Sequence, residues 1–165
     1  SKNCEDRMSV TNRKGIILCV DDEPGVLSTL KEQLLADFIG THDVVTATSG
    51  EEALSFVEAA RSENEIIELI ITDQMMPTMK GDEFLKRVHS ILPDTMKILL
   101  TGHAGLDSAI KAINEGGLNR YIEKPWNAEA MRDDIKGLIG KFRQNLENQY
   151  LLNNLEARIR ELGQA

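Results

Sequence analysis

Four strand-like runs in this chain each stop at a polar, reactive side chain, and this constrains the fold more than any other feature. Ile70-Ile71-Thr72 ends at Asp73 and the chain then breaks at Pro77. Ile16-Ile17-Leu18-Cys19-Val20 delivers Asp21 and Asp22, Lys97-Ile98-Leu99-Leu100 delivers Thr101, and Arg120-Tyr121-Ile122-Glu123 delivers Lys124 ahead of Pro125. Short, continuously apolar runs of this kind suit strands of a parallel sheet buried on both faces. An open α/β sheet builds its site at the carboxyl ends of such strands.

Between the runs lie helical patterns. Pro24 suits a first helical turn, and Val26, Leu27, Leu30, Leu34 and Leu35 follow at helical spacing, fading near Phe38–Gly40. Val44–Ala47 reads as a short second strand. Ser49 with Glu52 three residues later is a capping-box pattern opening a helix whose inner face is Ala53, Leu54, Phe56, Val57 and Ala60. Asp82 is expected to cap a helix carrying Phe84, Leu85 and Val88, which Pro93 ends from beyond. The next helix, about 106–115, is expected to turn Ile110 and Ile113 inward and to stop at Gly116-Gly117. Five strands alternating with five helices predict a parallel sheet covered on both faces.

The last helix begins near Asn127 and meets no further proline, so it can run to about residue 162, about 50 Å at 1.5 Å per residue. Ile135, Leu138 and Phe142 fit packing on the sheet. Leu152, Leu155, Ile159 and Leu162 recur at 3-4-3 spacing, the pattern of a short coiled-coil seam. Either two copies pair through this tail or the helix folds back on its own domain. The expected organisation is a polar leader over 1–14, a domain over 15–140 and a helical linker over 141–165.

Composition narrows the function classes. With 165 residues, 41% hydrophobic and 28% charged, the chain has the size and balance of one globular domain with an appendage. Its formal net charge of −8 argues against direct nucleic-acid binding, and its apolar runs are too short to span a membrane. Cys4 and Cys19 form no disulfide framework and no metal spacing, which predicts a reducing, cytoplasmic compartment. His42, His89 and His103 lack ligand spacing.

Brought to one crevice, Asp21, Asp22 and Asp73 form a hard oxygen cluster suited to Mg²⁺ (or Mn²⁺). A carboxylate is a competent covalent acceptor of a phosphoryl group, with Lys124 supplying positive charge and Thr101 a hydroxyl. Phosphoryl transfer asks a protein mainly for such positioning and charge neutralisation. Each residue has a plainer reading: Asp22 as a helix cap, Asp73 as a turn residue, Thr101 as packing, Lys124 and Glu123 as solvated charges. Four strands ending in these groups in this order carry the signal.

Val20-Asp21-Asp22-Glu23, Thr72-Asp73-Gln74-Met75-Met76-Pro77 with Gly81 following, Leu100-Thr101-Gly102 and Tyr121-Ile122-Glu123-Lys124-Pro125 together resemble the receiver domain of bacterial two-component response regulators. The resemblance covers about 15–140. It implies a flavodoxin-like fold with strand order 2-1-3-4-5 and a Lys124–Pro125 bond that is cis. It implies that Asp73 accepts the phosphoryl group from a sensor histidine kinase or phosphotransfer protein. Asp22 would ligate Mg²⁺, Asp21 would assist through water, and the Met75 backbone carbonyl would be a further ligand. Thr101 and Lys124 would bind phosphoryl oxygens, and Tyr121 would be the switch aromatic that turns inward as Thr101 moves. The switching surface would be 105–142, passing its change through the last helix to an output domain or partner outside this chain.

Met75 and Ala104 are the positions expected to set dephosphorylation rate, and Met75 offers no group to orient water, so a long-lived phosphoryl state is expected. Lys124-Pro125-Trp126-Asn127 before a long helix is similar to receivers coupled to cyclic-dinucleotide-handling or other enzymatic outputs. Trp126 is either a surface anchor for a partner or a hydrophobic cover on the sheet edge. Beyond self-modification and slow autodephosphorylation, no enzymatic turnover is expected. The alternatives are a Mg²⁺-dependent phosphatase working through an aspartyl-phosphate, whose usual Asp-x-Asp is here the adjacent pair Asp21-Asp22, and an interaction module with a vestigial site.

Overall fold

The computed structural model describes residues 14–102 and 106–164. The leader up to residue 13 with Cys4, and the positions His103 and Ala104, lie outside the described residues. The elements are β1 (Gly15–Val20), α1 (Pro24–Asp37), β2 (His42–Ala47), α2 (Gly50–Ser62), β3 (Ile67–Thr72), α3 (Gly81–Ile91), β4 (Met96–Thr101), α4 (Leu106–Gly116), β5 (Arg120–Glu123) and α5 (Ala128–Gly163). All strand pairs are parallel and the order is β2-β1-β3-β4-β5, the flavodoxin-like order expected from the resemblance. No helix among the described residues is long and apolar enough to cross a membrane.

Strand alternation divides the apolar residues between two cores. Ile16, Leu18, Val20, Ile70 and Leu99 face the layer formed by α2, α3 and α4. Ile17, Cys19, Leu69, Ile71, Ile98 and Leu100 face α1 and α5. Every residue of β1, β3 and β4 is buried, so β1 is apolar throughout and β3 and β4 are apolar apart from Glu68, Thr72, Lys97 and Thr101. Burial pushes the Cys19 thiol up to about 12 against a small opposing pull from Lys31, so it behaves as an apolar filler.

Local chemistry sets the element ends. Ser49 Oγ accepts the Glu52 amide, but the Glu52 carboxylate reaches the Thr48 amide and hydroxyl instead of the cap residue's own N–H. Asn127 Oδ1 accepts the Ala130 amide and opens α5. Gly117 at φ +64° stops α4, a conformation glycine adopts without steric cost.

Three expectations are corrected. Asp82 is not the cap of α3: Lys80 holds that position without a side-chain bond, and Asp82 lies inside the first turn with its carboxylate committed elsewhere. Ile110 and Ile113 face solvent, while Ala109 and Ala112 are buried. The reason is close approach of α4 to α3. A Cβ at Gly116 would sit 3.1 Å from Leu85 Cβ, so only the small stripe Ala109, Ala112 and Gly116 fits there. The isoleucines are displaced to the outer face. Leu35, expected inward on α1, is also largely exposed.

α5 is unbroken over 36 residues and does not fold back. Met131, Ile135, Leu138, Ile139 and Phe142 bury against the sheet, whereas Leu151, Leu152, Leu155, Ile159 and Leu162 are exposed. Its packed part is also pinned by charge, and it stays against the domain as far as Leu146 on the core and Gln149, whose Nε2 donates to Asp94 Oδ2. Arg143 donates through Nε and Nη2 to both Glu68 carboxylate oxygens, at 2.9 and 3.1 Å, and His42 Nε2 lies 3.1 Å from the same carboxylate. A Cβ at Gly15 would overlap Glu68, so glycine there makes room for this cluster.

Candidate functional site

The site stands at the carboxyl edge of the sheet, where the strand ladders continue one residue into the loops. The Asp21 amide donates to Ala47 O, the Asp73 amide to Val20 O and the Lys124 amide to Thr101 O. These bonds fix the backbone under three of the expected residues. Thr101 is the last residue of β4 itself.

Asp21, Asp22 and Asp73 each offer a carboxylate oxygen lying within 4.8 Å of the others. Asp21 and Asp73 are buried and Asp22 is the more open of the three. Asp21 Oδ1 accepts the Glu23 amide at 2.9 Å. Lys124 Nζ reaches Asp21 Oδ2 at 2.7 Å and Asp73 Oδ1 at 3.5 Å. Asp22 does not cap α1, whose cap is Glu23 without a side-chain bond.

Burial holds the Asp73 carboxyl above its usual range, and the Asp21 charge adds to this, against opposing pulls from Lys124 and the Gln74 amide. Burial works against the Lys124 ammonium, yet the bond to Asp21 and the charges of Asp21 and Asp73 outweigh it and raise its pKa. One ammonium therefore offsets only part of three clustered carboxylates.

Thr101 Oγ1 is buried and has no hydrogen-bond partner among the described residues. A buried hydroxyl left unsatisfied is costly, so its place at this edge suits a group that arrives with acceptor atoms. Three carboxylates with excess negative charge are the donor set that a hard divalent cation requires. The residues present therefore fit a metal of the Mg²⁺ class.

Lys124–Pro125 is cis. Tyr121 is partly buried over the core under α2 to α4, and the Met75 side chain is exposed. Trp126 packs against the α1/α5 core and its Nε1 donates to Gln33 Oε1 at 2.8 Å, the cover role of the two readings.

Sequence reasoning missed Gln74 and the true role of Asp82. Gln74 is buried, and its side-chain amide pairs with Asp82 in both directions. The part played by Gly81 was also hidden: a Cβ there would overlap the Asp73 carbonyl. No periodicity marks a loop glutamine that bonds a helix eight residues later.

Comparison with known proteins agrees with this geometry. The Hydrogenase transcriptional regulatory protein HoxA of Bradyrhizobium diazoefficiens is 33% identical over 136 residues, 82% of this chain and 26% of that protein. The chain thus spans about a quarter of such a relative's length. The Chemotaxis protein CheY homolog of Campylobacter jejuni is 30% identical over 126 residues, 75% of this chain and 92% of that protein. Among solved structures, an adenylate cyclase from Rhodopirellula baltica matches with TM-score 0.73 and 31% identity, covering 86% of this chain and 98% of that one. The signal receiver domain of an HD domain-containing protein from Pseudomonas fluorescens matches with TM-score 0.72 and 29% identity, over 80% of this chain and 99% of that one. The family model for the response regulator receiver domain covers residues 17–136, most of the chain, and the chain belongs to that family, the signalling domains of two-component systems whose general function is phosphorylation on an aspartate.

Proposed function

We propose that Asp73 is the phosphoacceptor of this receiver domain. The observation carrying this reading is the convergence of Asp21, Asp22 and Asp73 within 4.8 Å, with Lys124 Nζ bridging Asp21 and Asp73. An Asp73 carboxylate oxygen attacks the phosphorus of a kinase or phosphotransfer phosphohistidine. The P–N bond breaks as the P–O bond forms, and the imidazole leaves with the electron pair. Lys124 holds Asp73 and then a phosphoryl oxygen, and the unpartnered Thr101 hydroxyl donates to another. Asp21, Asp22, Asp73 and the Met75 carbonyl would hold Mg²⁺ (or Mn²⁺), which would supply charge neutralisation to the carboxylates and the incoming phosphoryl group.

Receiver domains of response regulators are phosphorylated by histidine kinases and linked to output domains. Here the proposed switch is a population shift biased by phosphate, with Thr101 and Tyr121 moving together and the 105–142 face changing with them. The domain occupies 15–140, residues 141–165 form the linker, and the exposed leucine and isoleucine stripe of α5 pairs two copies. The change passes along α5 to an output or partner in the cytoplasm. Relatives named as transcriptional regulators, an adenylate cyclase and an HD domain-containing protein favour an output domain of the transcriptional or enzymatic kind. The domain turns over no separate substrate and dephosphorylates itself slowly, since the exposed Met75 offers no group to orient water.

Incubation with an acyl phosphate and Mg²⁺, read by intact mass, tests the site. Wild type should label, and Asp73→Asn and chelator-treated protein should not. Labelling of Asp73→Asn at the wild-type rate overturns the assignment. Loss of the label within seconds overturns the long-lived state.

A further inference from the structure

Gln74 follows the proposed acceptor directly and is almost fully buried, yet every polar group it has is engaged. Its amide donates to Asp73 Oδ1 at 2.9 Å. Its carbonyl accepts the Met76 amide at 3.2 Å and the Gly81 amide at 3.0 Å, which closes the 74–81 loop. Its side chain reads the first turn of α3 in both directions: Oε1 accepts the Asp82 amide at 2.9 Å, and Nε2 donates to Asp82 Oδ1 at 3.1 Å. The same Asp82 oxygen accepts the Glu83 amide, and Oδ2 lies 3.8 Å from Lys111 Nζ on α4.

A satisfied buried glutamine is commonly only structural. This one differs because its own N–H bonds the carboxylate next door. The side-chain bonds to Asp82 tether the same residue whose backbone N–H reaches the Asp73 carboxylate, so they restrain the backbone that carries it. Gly81 reinforces the arrangement, since the start of α3 rests on the Asp73 carbonyl too closely for any side chain. The acceptor loop is thus clamped to α3 at two points, and one of them is an exchangeable side-chain pair.

We propose that Gln74 is a positioning residue for phosphoryl transfer, holding the Asp73 carboxylate in its reactive orientation by clamping the acceptor loop to Asp82. The proposal rests on the reading of Asp73 as phosphoacceptor. Gln74→Glu sets two carboxylates against each other and breaks the side-chain half of the clamp, leaving the Asp82 amide its acceptor. The exchange Gln74→Glu with Asp82→Asn puts back one side-chain bond with the donor reversed, while the Glu83 amide loses the Oδ1 acceptor it uses in the wild type. The side-chain amide introduced at position 82 can donate to the new carboxylate, while the backbone amide there still does.

The test is the first-order labelling rate with saturating acetyl phosphate and Mg²⁺, well below each variant's melting temperature. Gln74→Glu should label about tenfold more slowly, the rate equivalent of about one lost hydrogen bond. The double exchange should recover part of that rate, which a loss of general stability would not. Gln74→Met, which keeps the volume and removes both side-chain bonds, should also slow and serves if Gln74→Glu does not fold. A wild-type rate in Gln74→Glu or Gln74→Met overturns the proposal, and so does a double exchange as slow as Gln74→Glu alone. Failure of the wild type itself to label, or labelling of Asp73→Asn, would instead remove the acceptor assignment.

Discussion

Asp22→Asn should raise the stability of the metal-free protein and abolish its response to Mg²⁺. The carboxylate oxygens of the trio lie within 4.8 Å of one another, and Lys124 pairs with Asp21 and Asp73 but, among the described residues, no ion pair ties Asp22. At that separation two unit charges repel by about 3.5 kcal/mol at an effective dielectric of about 20, and by about 0.9 kcal/mol in water. Asp22 is the open member of the trio, so the lower figure applies. Two such repulsions, less the attraction of Lys124, leave about 1 kcal/mol to be relieved. For a domain of this size that is a rise of about 2–4 °C in Tm.

Thermal melts in chelator and in excess Mg²⁺ provide the assay. In chelator the variant should melt above wild type, and 1 M salt should shrink the gap by screening. In Mg²⁺ at about a hundredfold over its Kd, wild type should gain about 2.7 kcal/mol, and the order should invert. A variant that melts at or below wild type in chelator refutes the electrostatic argument. A variant that still gains from Mg²⁺ as wild type does removes Asp22 from the ligand set.

Three further outcomes follow from the packing and the charges. Arg143→Met should cost about 2 kcal/mol in denaturant unfolding, between the values for exposed and buried pairs, because Glu68 is buried while Arg143 is partly open; an unchanged midpoint would refute it. Burial pushes the Glu68 carboxyl up, but bonds from His42 and Arg143 hold it below its usual range, so its contribution is present at neutral pH and lost as pH falls through the lowered value. Asp73 has the opposite sign: its raised pKa means the native state binds more protons than the unfolded chain, so metal-free stability falls as pH rises through that window, and Asp73→Asn should flatten this slope. On α4, Ala112→Leu should cost about 1–3 kcal/mol by overpacking against α3, while Ile113→Ser should stay within about 0.5 kcal/mol; equal effects would refute the corrected orientation.

Much of the fold was legible because strands buried on both faces must be largely apolar, and because a reactive group at the end of such a strand can only stand at the sheet's carboxyl edge. The runs ending at Asp21, Asp73 and Thr101 met both conditions. Capping chemistry at Ser49, the start of the last helix near Asn127, and the glycine stop after α4 were likewise local and visible. The inward face of α4 was not, since hydrophobicity favoured the isoleucines and only the close approach of α3 selected the alanines. Gln74, Asp82 and the His42–Glu68–Arg143 cluster were hidden for a related reason: their partners are set by tertiary distance, and a polar residue in a sequence does not announce whether it will be solvated or buried in a pair. Sequence thus determined which strands exist and which side chains stand at their ends, because those depend on neighbours along the chain. Tertiary structure decided which helix faces pack and which polar groups clamp the acceptor loop, because those depend on how closely two elements can approach.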